Sequence, residues 1–171
     1  PVIGSDSAKL QKFFSEGKLL HYKKGETVLR AGDTPQGVYF VNKGYIRLYS
    51  ISENGEELTL IIFKSGDFFP MMWAINGTPN ENYLEATTDV QLYRSPRENF
   101  LQFLIENSDV LLNLTNHILA RMGGVLRRME HLAFGNASQK VASIIMICAE
   151  RFGEKKDKGV VIDVPLTHRD L

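Results

Sequence analysis

Few of the residues that ordinarily carry chemistry stand in useful groups in this chain. The four histidines, His21, His117, His131 and His168, form no His-x-His or His-x-x-x-His pair, and Cys148 is the single cysteine. A metal centre draws its ligands from several closely placed donors, and an iron–sulfur cluster usually takes four thiolates, so no metal site is expected. No Ser-His-Asp or Cys-His grouping can be argued, and no glycine-rich loop precedes a helix to cradle phosphate. Catalytic residues are therefore expected to be absent, as is a cofactor. The chemistry on offer is binding. An apolar and aromatic run, Phe68-Phe69-Pro70-Met71-Met72-Trp73, is followed by the polar Asn80-Glu81-Asn82. Ligand pockets combine such a lining with a few polar groups that orient the guest. The other reading of the run is a filled core without a cavity.

Short strand-like runs surround these residues: Thr27-Val28-Leu29-Arg30, Val38-Tyr39-Phe40-Val41, Tyr45-Ile46-Arg47-Leu48-Tyr49 and Leu58-Thr59-Leu60-Ile61-Ile62-Phe63. Gly44, Gly55, Gly66 and Gly77 punctuate them every eleven residues. Turns at that spacing predict a small rolled antiparallel sheet over residues 18–95, with Ile46 and Leu48 facing in and Arg47 facing out. A leading helix is expected over 7–16. Ser95-Pro96-Arg97-Glu98 predicts another helix, opened by a Ser95/Glu98 capping box and burying Phe100, Leu101, Leu104 and Ile105.

From about Ser108 to Phe134, Leu111, Leu114, Ile118, Met122, Val125, Met129 and Leu132 recur every three or four residues. A stripe that long exceeds what one small roll can cover, which points to a partner helix; a helix lying across its own roll is the alternative. Gly123-Gly124 interrupts it, either for close helix approach, as a bend near a ligand, or as a tolerated weak spot. Arg121, Arg127 and Arg128 read first as a solvated face. Asn136 or Ser138 can cap the next helix, which carries Val141, Ile144, Ile145, Cys148 and Phe152 and ends at Gly153. A charged loop over 154–159 then leads to a strand over 160–164. Thr167 with Asp170 opens a further helix, and the chain reads as a fragment.

At 171 residues the chain can bury one substantial core and a small second unit. Its 43% hydrophobic and 23% charged residues are ordinary for a globular protein. No run of about 18 apolar residues exists, so no membrane partner is expected. No signal peptide is visible, and the lone cysteine fits a reducing cytoplasm. With 20 basic and 20 acidic residues the net charge is zero, which is not the footprint of a complete nucleic-acid binder.

Taken in order, Lys24-Gly25-Glu26, Ala31-Gly32-Asp33, Gly37-Val38-Tyr39-Phe40-Val41, Lys43-Gly44, Gly66-Asp67-Phe68-Phe69 and Thr88-Asp89-Val90 carry a family likeness. Leu132-Ala133-Phe134 and the segment 164–171 extend it. The chain resembles the Crp/Fnr regulators of bacterial transcription across nearly its whole length. The resemblance implies an α+β fold: a jelly-roll-like antiparallel β-roll of the cyclic-nucleotide-binding type, then a long dimerisation helix, then the start of a winged helix-turn-helix. It places the sensor over 1–107, the dimerisation helix over 108–135 and an incomplete DNA-binding domain over 136–171. It implies a homodimer that contacts DNA through a C-terminal region largely absent here, with Thr167, His168 and Arg169 as candidate DNA contacts. RNA polymerase is a further candidate partner.

The resemblance breaks at the nucleotide site. Pro70 and Met71 stand where nucleotide-binding members carry Gly-Glu, and Asn80-Glu81-Asn82 stand in place of the Arg-Ser-Ala that grips the cyclic phosphate. Val125 and Leu126 replace a Thr-Ser pair that touches the base in the cyclic-AMP receptor protein. Neutral Asn80 cannot replace a guanidinium, and Glu81 repels phosphate. The effector is therefore expected to be an unidentified small molecule other than cyclic AMP, held by residues 68–73, 80–82, Val125 and Leu126. A ligand-independent regulator with a degenerate pocket is the alternative. A haem site like that of the family's carbon-monoxide sensors has only isolated candidates in His21, His117 and Cys148. Effector binding would shift how the two long helices pack.

Overall fold

The computed structural model describes residues 5–134, 136–157, 159–162 and 164. The chain divides into two compact units, one ending at Thr115 and the other beginning at Asn116.

The first unit runs α1 (Ser5–Ser15), β1 (Lys18–Tyr22), β2 (Thr27–Leu29), β3 (Val38–Lys43), β4 (Ile46–Ile51), β5 (Glu57–Phe63), β6 (Phe68–Phe69), α2 (Met71–Asn76), β7 (Tyr83–Ala86), β8 (Val90–Ser95) and α3 (Arg97–Glu106), and takes in the first turns of α4 (Ser108–Phe134). Its strands form two four-stranded antiparallel sheets, in the orders β1-β8-β3-β6 and β2-β7-β4-β5. Strand β3 is buried at Val38, Tyr39, Phe40 and Val41 because both of its faces are covered. Tyr39 and Val41 join Ile46, Phe63, Leu84 and Leu92 in a core drawn from both sheets. Val38 and Phe40 join Leu10, Phe14, Phe100, Leu104, Val110 and Leu114 in a second core made with the helices. The rolled antiparallel sheet expected from the glycine spacing is present.

Gly44, Gly55, Gly66 and Gly77 all take positive φ. Gly77, however, caps the C-terminus of α2, a six-residue helix that the turn spacing did not anticipate. The expected Ser95/Glu98 capping box is also absent. Ser95 is still paired with Val38 in the sheet, Pro96 is the N-cap of α3, and no side chain caps it. The buried face of α3 is narrower than expected: Phe100 and Leu104 are buried, whereas Ile105 is 72% exposed. The edge at Ile105 lies beyond the strip that the roll covers.

In the second unit, α4 continues to Phe134, as the stripe predicts, and α5 (Ala137–Phe152) follows. Asn136 caps α5 in a full capping box: its side chain accepts from the Gln139 amide at 3.0 Å, and Gln139 accepts from the Asn136 amide at 2.9 Å. Gly153 ends α5 in extended rather than left-handed geometry, and a Cβ there would collide with the Ala149 carbonyl and Val160. The expected charged loop is in part a strand. Here β9 (Gly153–Lys156) pairs antiparallel with β10 (Gly159–Ile162), matching Lys155 to Val160 and Glu154 to Val161. Cross-strand pairing with the valines overrides the low strand propensity of the Glu-Lys-Lys run.

Gly44 generates a test of the roll. A Cβ there would collide with the Asp89 carbonyl, and the backbone is left-handed at φ 91°. Gly55, at φ 80°, has open space around it. Gly44→Ala should therefore lose roughly 2–4 kcal/mol in urea unfolding, and Gly55→Ala about 1. Equal losses would show that close approach to Asp89 costs nothing.

Candidate effector site and the long helix

The turn before β6 is closed by Asp67, whose carboxylate accepts from the Lys64 amide at 3.0 Å. The Asp67 carbonyl accepts from the Val41 amide, and the Gly66 amide donates to the Val41 carbonyl, each at 2.9 Å. This seats β6 against β3 and sends its two phenylalanines to opposite cores. Phe68 meets Phe14 and Phe100, with ring centroids 6.0 and 5.4 Å away. Phe69 meets Tyr39 at 5.5 Å and Phe63 at 5.1 Å. Both are thus integral to packed cores.

After the cis Phe69-Pro70 peptide, α2 carries Met71 and Trp73 onto the helical core and leaves Met72 66% exposed. The Arg97 guanidinium closes the far end of α2. Its Nε donates to the carbonyls of Trp73 and Ala74 at 3.2 and 3.0 Å, and its charge lies 5.7 Å from the Trp73 ring. Cationic groups suit a helix C-terminus.

Asn80 is only 8% exposed, while Glu81 is exposed and Asn82 half-buried. The Asn80 amide nitrogen donates to the carbonyls of Arg30 and Asn82, each at 2.8 Å. The main-chain carbonyl of Asn80 accepts from the Gly32 amide at 2.8 Å. Residues 80–82 are thereby brought beside the turn at 30–33. Val125 and Leu126 belong to the second unit, where both are exposed.

Along α4, Leu111, Ile118, Met122, Val125 and Met129 are each at least 40% exposed, together with Leu112, Leu119 and Leu126. Leu114 is buried with Val110 in the helical core of the first unit. Gly123 and Gly124 are half-buried. The side chains of Leu132, Arg121, Arg127 and Arg128, and all of Thr167, His168 and Arg169, lie outside the described residues. Among the described residues no cluster of His, Cys, Asp and Glu could hold a metal ion, and Cys148 is half-buried.

The cyclic nucleotide-binding domain model matches residues 19–107, which is the β-roll with α3. The global nitrogen regulator of Synechococcus elongatus is 26% identical over 152 residues, covering 88% of this chain and 68% of that one. The cAMP-activated global transcriptional regulator CRP of Pasteurella multocida is 23% identical over 142 residues, covering 82% and 68%. The chain belongs to the Crp/Fnr group of the cyclic nucleotide-binding domain family. A solved Thermus thermophilus transcriptional regulator of that group superposes with a TM-score of 0.63 at 25% identity, covering 90% of this chain and 75% of that one.

Within this Crp/Fnr roll, one polar cluster escaped the sequence reading. Arg47 lies opposite Glu85 in the β4–β7 ladder, yet it is not solvated as strand alternation suggested. Its guanidinium pairs with Glu57 at 2.9 Å and Glu85 at 3.2 Å, with the side chain 15% exposed. It lies 4.1 Å from the Tyr49 ring, which stacks on Tyr83 at 5.3 Å. Burial alone would lower the arginine pKa; bonds to Glu85 and Glu57 outweigh it and raise it. Glu85 is 38 residues away in sequence, so no local pattern could reveal the pair.

Arg47 clamps β4 to both neighbouring strands. Arg47→Met should cost roughly 1–3 kcal/mol in urea unfolding, because two half-buried carboxylates lose their partner. An unchanged urea midpoint would mark the cluster as an ordinary surface pair.

Proposed function

We propose that this chain is the sensor and dimerisation portion of a DNA-binding transcription regulator whose effector is not cyclic AMP. The observation that carries the regulator reading is the 152-residue similarity to a global regulator. It is longer than the roll matched at 19–107, so it extends into α4 and α5. Charge supports the same division of labour. Residues 1–115 hold eleven Lys and Arg against fourteen Asp and Glu, whereas residues 116–171 hold nine against six. A basic excess in the second unit suits a DNA partner, since phosphate contacts dominate non-specific affinity.

The effector reading rests on the residues of the roll. A cyclic phosphate needs a cation, and Asn80 supplies none, while Glu81 adds negative charge beside it. Pro70 and Met71 offer no carboxylate to a ribose hydroxyl. Phe68 and Phe69, deep in the two cores, and Asn80, with its donors used internally, also favour the second reading of a regulator that works without ligand.

The exposed apolar stripe of α4 fits a second copy of the chain. Exposed apolar surface of that extent on one helix is characteristic of interaction sites. The proposed protein is a homodimer of regulators, and its activity is in binding rather than catalysis.

Thermal unfolding with millimolar cyclic AMP, beside a panel of metabolites, tests the effector. A ligand at about 100 times its Kd raises Tm by roughly 5–10 °C for a chain of this size. No shift is expected with cyclic AMP and a shift with another compound; a clear cyclic AMP shift would overturn the assignment. Silence across the panel would favour the ligand-independent regulator. The dimer is tested by Met122→Glu combined with Val125→Glu, both on exposed positions of α4. Sedimentation should show monomers that retain the roll's melting transition. Dimers that survive the double substitution would rule out this part of α4 as the interface.

A further inference from the structure

Strand pairing between β2 and β7 is short. It holds Thr27 against Glu85 and Leu29 against Leu84, with a register shift between them. Beyond Leu29 the chain turns through residues 30–33. The turn is closed locally by Asp33, whose carboxylate accepts from the Arg30 amide at 2.9 Å and whose amide donates to the Arg30 carbonyl at 3.1 Å. Nothing in the ladder itself holds this turn to the entry of β7.

Asn80 does. We propose that Asn80 is an internal tether, which closes the β2–β7 end of the roll with the chain's own hydrogen bonds and denies that end to anionic ligands. The inference rests on the effector reading above for its consequence, but its geometry stands on the roll alone.

A primary amide has two N–H donors. Both are committed here, one to the Arg30 carbonyl and one to the Asn82 carbonyl, so none is left for a guest. The Gly32 amide, a second donor of the turn, is taken by the main-chain carbonyl of Asn80, so the main chain and the side chain of this residue hold the turn together. A phosphate or carboxylate entering this end would have to pull the amide away, which strips the Asn82 carbonyl of its bond from Asn80 and leaves the Arg30 carbonyl with the Asp33 amide alone. Losing these part-buried bonds is costly, and the exposed Glu81 beside them repels the same guest. Arg30 meets Asn80 through its main chain, and the Arg47 guanidinium is held by Glu57 and Glu85. With the Asn80 and Gly32 donors taken, this end of the roll favours an uncharged or cationic guest over an anion.

Asn80→Asp separates tethering from packing, because it keeps the shape and removes both donors. Amide hydrogen exchange on the whole chain should show Gly32 and Asp33 protected in the wild type. Asn80→Ala and, at neutral pH, Asn80→Asp should exchange there roughly tenfold faster or more. A carboxyl facing two carbonyls is favoured in its protonated, donating form, so part of the protection in Asn80→Asp should return as pH falls. Wild-type rates in Asn80→Asp at neutral pH would overturn the tether. Millimolar inorganic phosphate and cyclic AMP form a second arm that needs no variant. Neither should alter protection at Gly32 in the wild type, and added protection by either would overturn the exclusion of anions. Failure of the chain to dimerise or to meet DNA would defeat the regulator reading while leaving both exchange results as they stand.

Discussion

Double-sided burial of β3 is the constraint on which the rest of the roll depends. A strand in an antiparallel sheet commonly shows one face to water and alternates in its sequence. In β3, Val38, Tyr39, Phe40 and Val41 are all buried, because the sheet-to-sheet core takes Tyr39 and Val41 and the helical core takes Val38 and Phe40. The neighbouring β6 obeys the same division with only two residues: Phe68 goes to the helices and Phe69 to the sheets. Phe14 stacks on Phe40 with ring centroids 5.1 Å apart, so α1 is held by the strand rather than by its own neighbours in sequence. Removing either core would leave half of β3 without a partner. The two cores therefore share one strand.

This constraint shapes the candidate site. Phe68 and Phe69, candidates for a pocket lining, are packed into the two cores that β6 bridges. Asn80 and Arg47 are turned inward too. Asn80 spends its donors on Arg30 and Asn82, and Arg47 spends its charge on Glu57 and Glu85. A roll whose polar groups answer one another depends less on a guest for its order than one with a bare cation waiting inside.

Legibility in the sequence followed the range of the interactions. Elements determined by short-range chemistry could be read: the turns at Gly44, Gly55 and Gly66, the full span of α4, and the Asn136 cap, whose partner Gln139 is three residues away. Elements determined by distant partners could not. Helix α2 has no side-chain cap and no acidic first turn, and Arg97 closes it from 23 residues on. Ser95 looked like a cap but is held in the sheet by Val38. Strand β9 consists of residues poor in strand propensity and exists because the Val160-Val161 strand pairs with it. The candidate site was legible as a list of residues and illegible as an arrangement, since Asn80 and Arg30 are separated by 50 positions.

Helix α4 answers two demands along one axis. Its first turns are anchored by Val110 and Leu114 in the helical core, and Asp109 pairs with Lys9 of α1. Met71 and Trp73 pack against that same core. The candidate site and the anchored end of α4 thus share one close-packed set of side chains, and such sets respond to a change in volume by rearranging rather than by yielding smoothly. Farther along, the helix turns apolar and exposed, with Ile118, Met122, Val125 and Met129 in water. At 1.5 Å per residue its 27 residues extend about 40 Å. Exposed apolar side chains at these described positions offer a surface that another can complete. A second copy of the same helix would do so with matching chemistry.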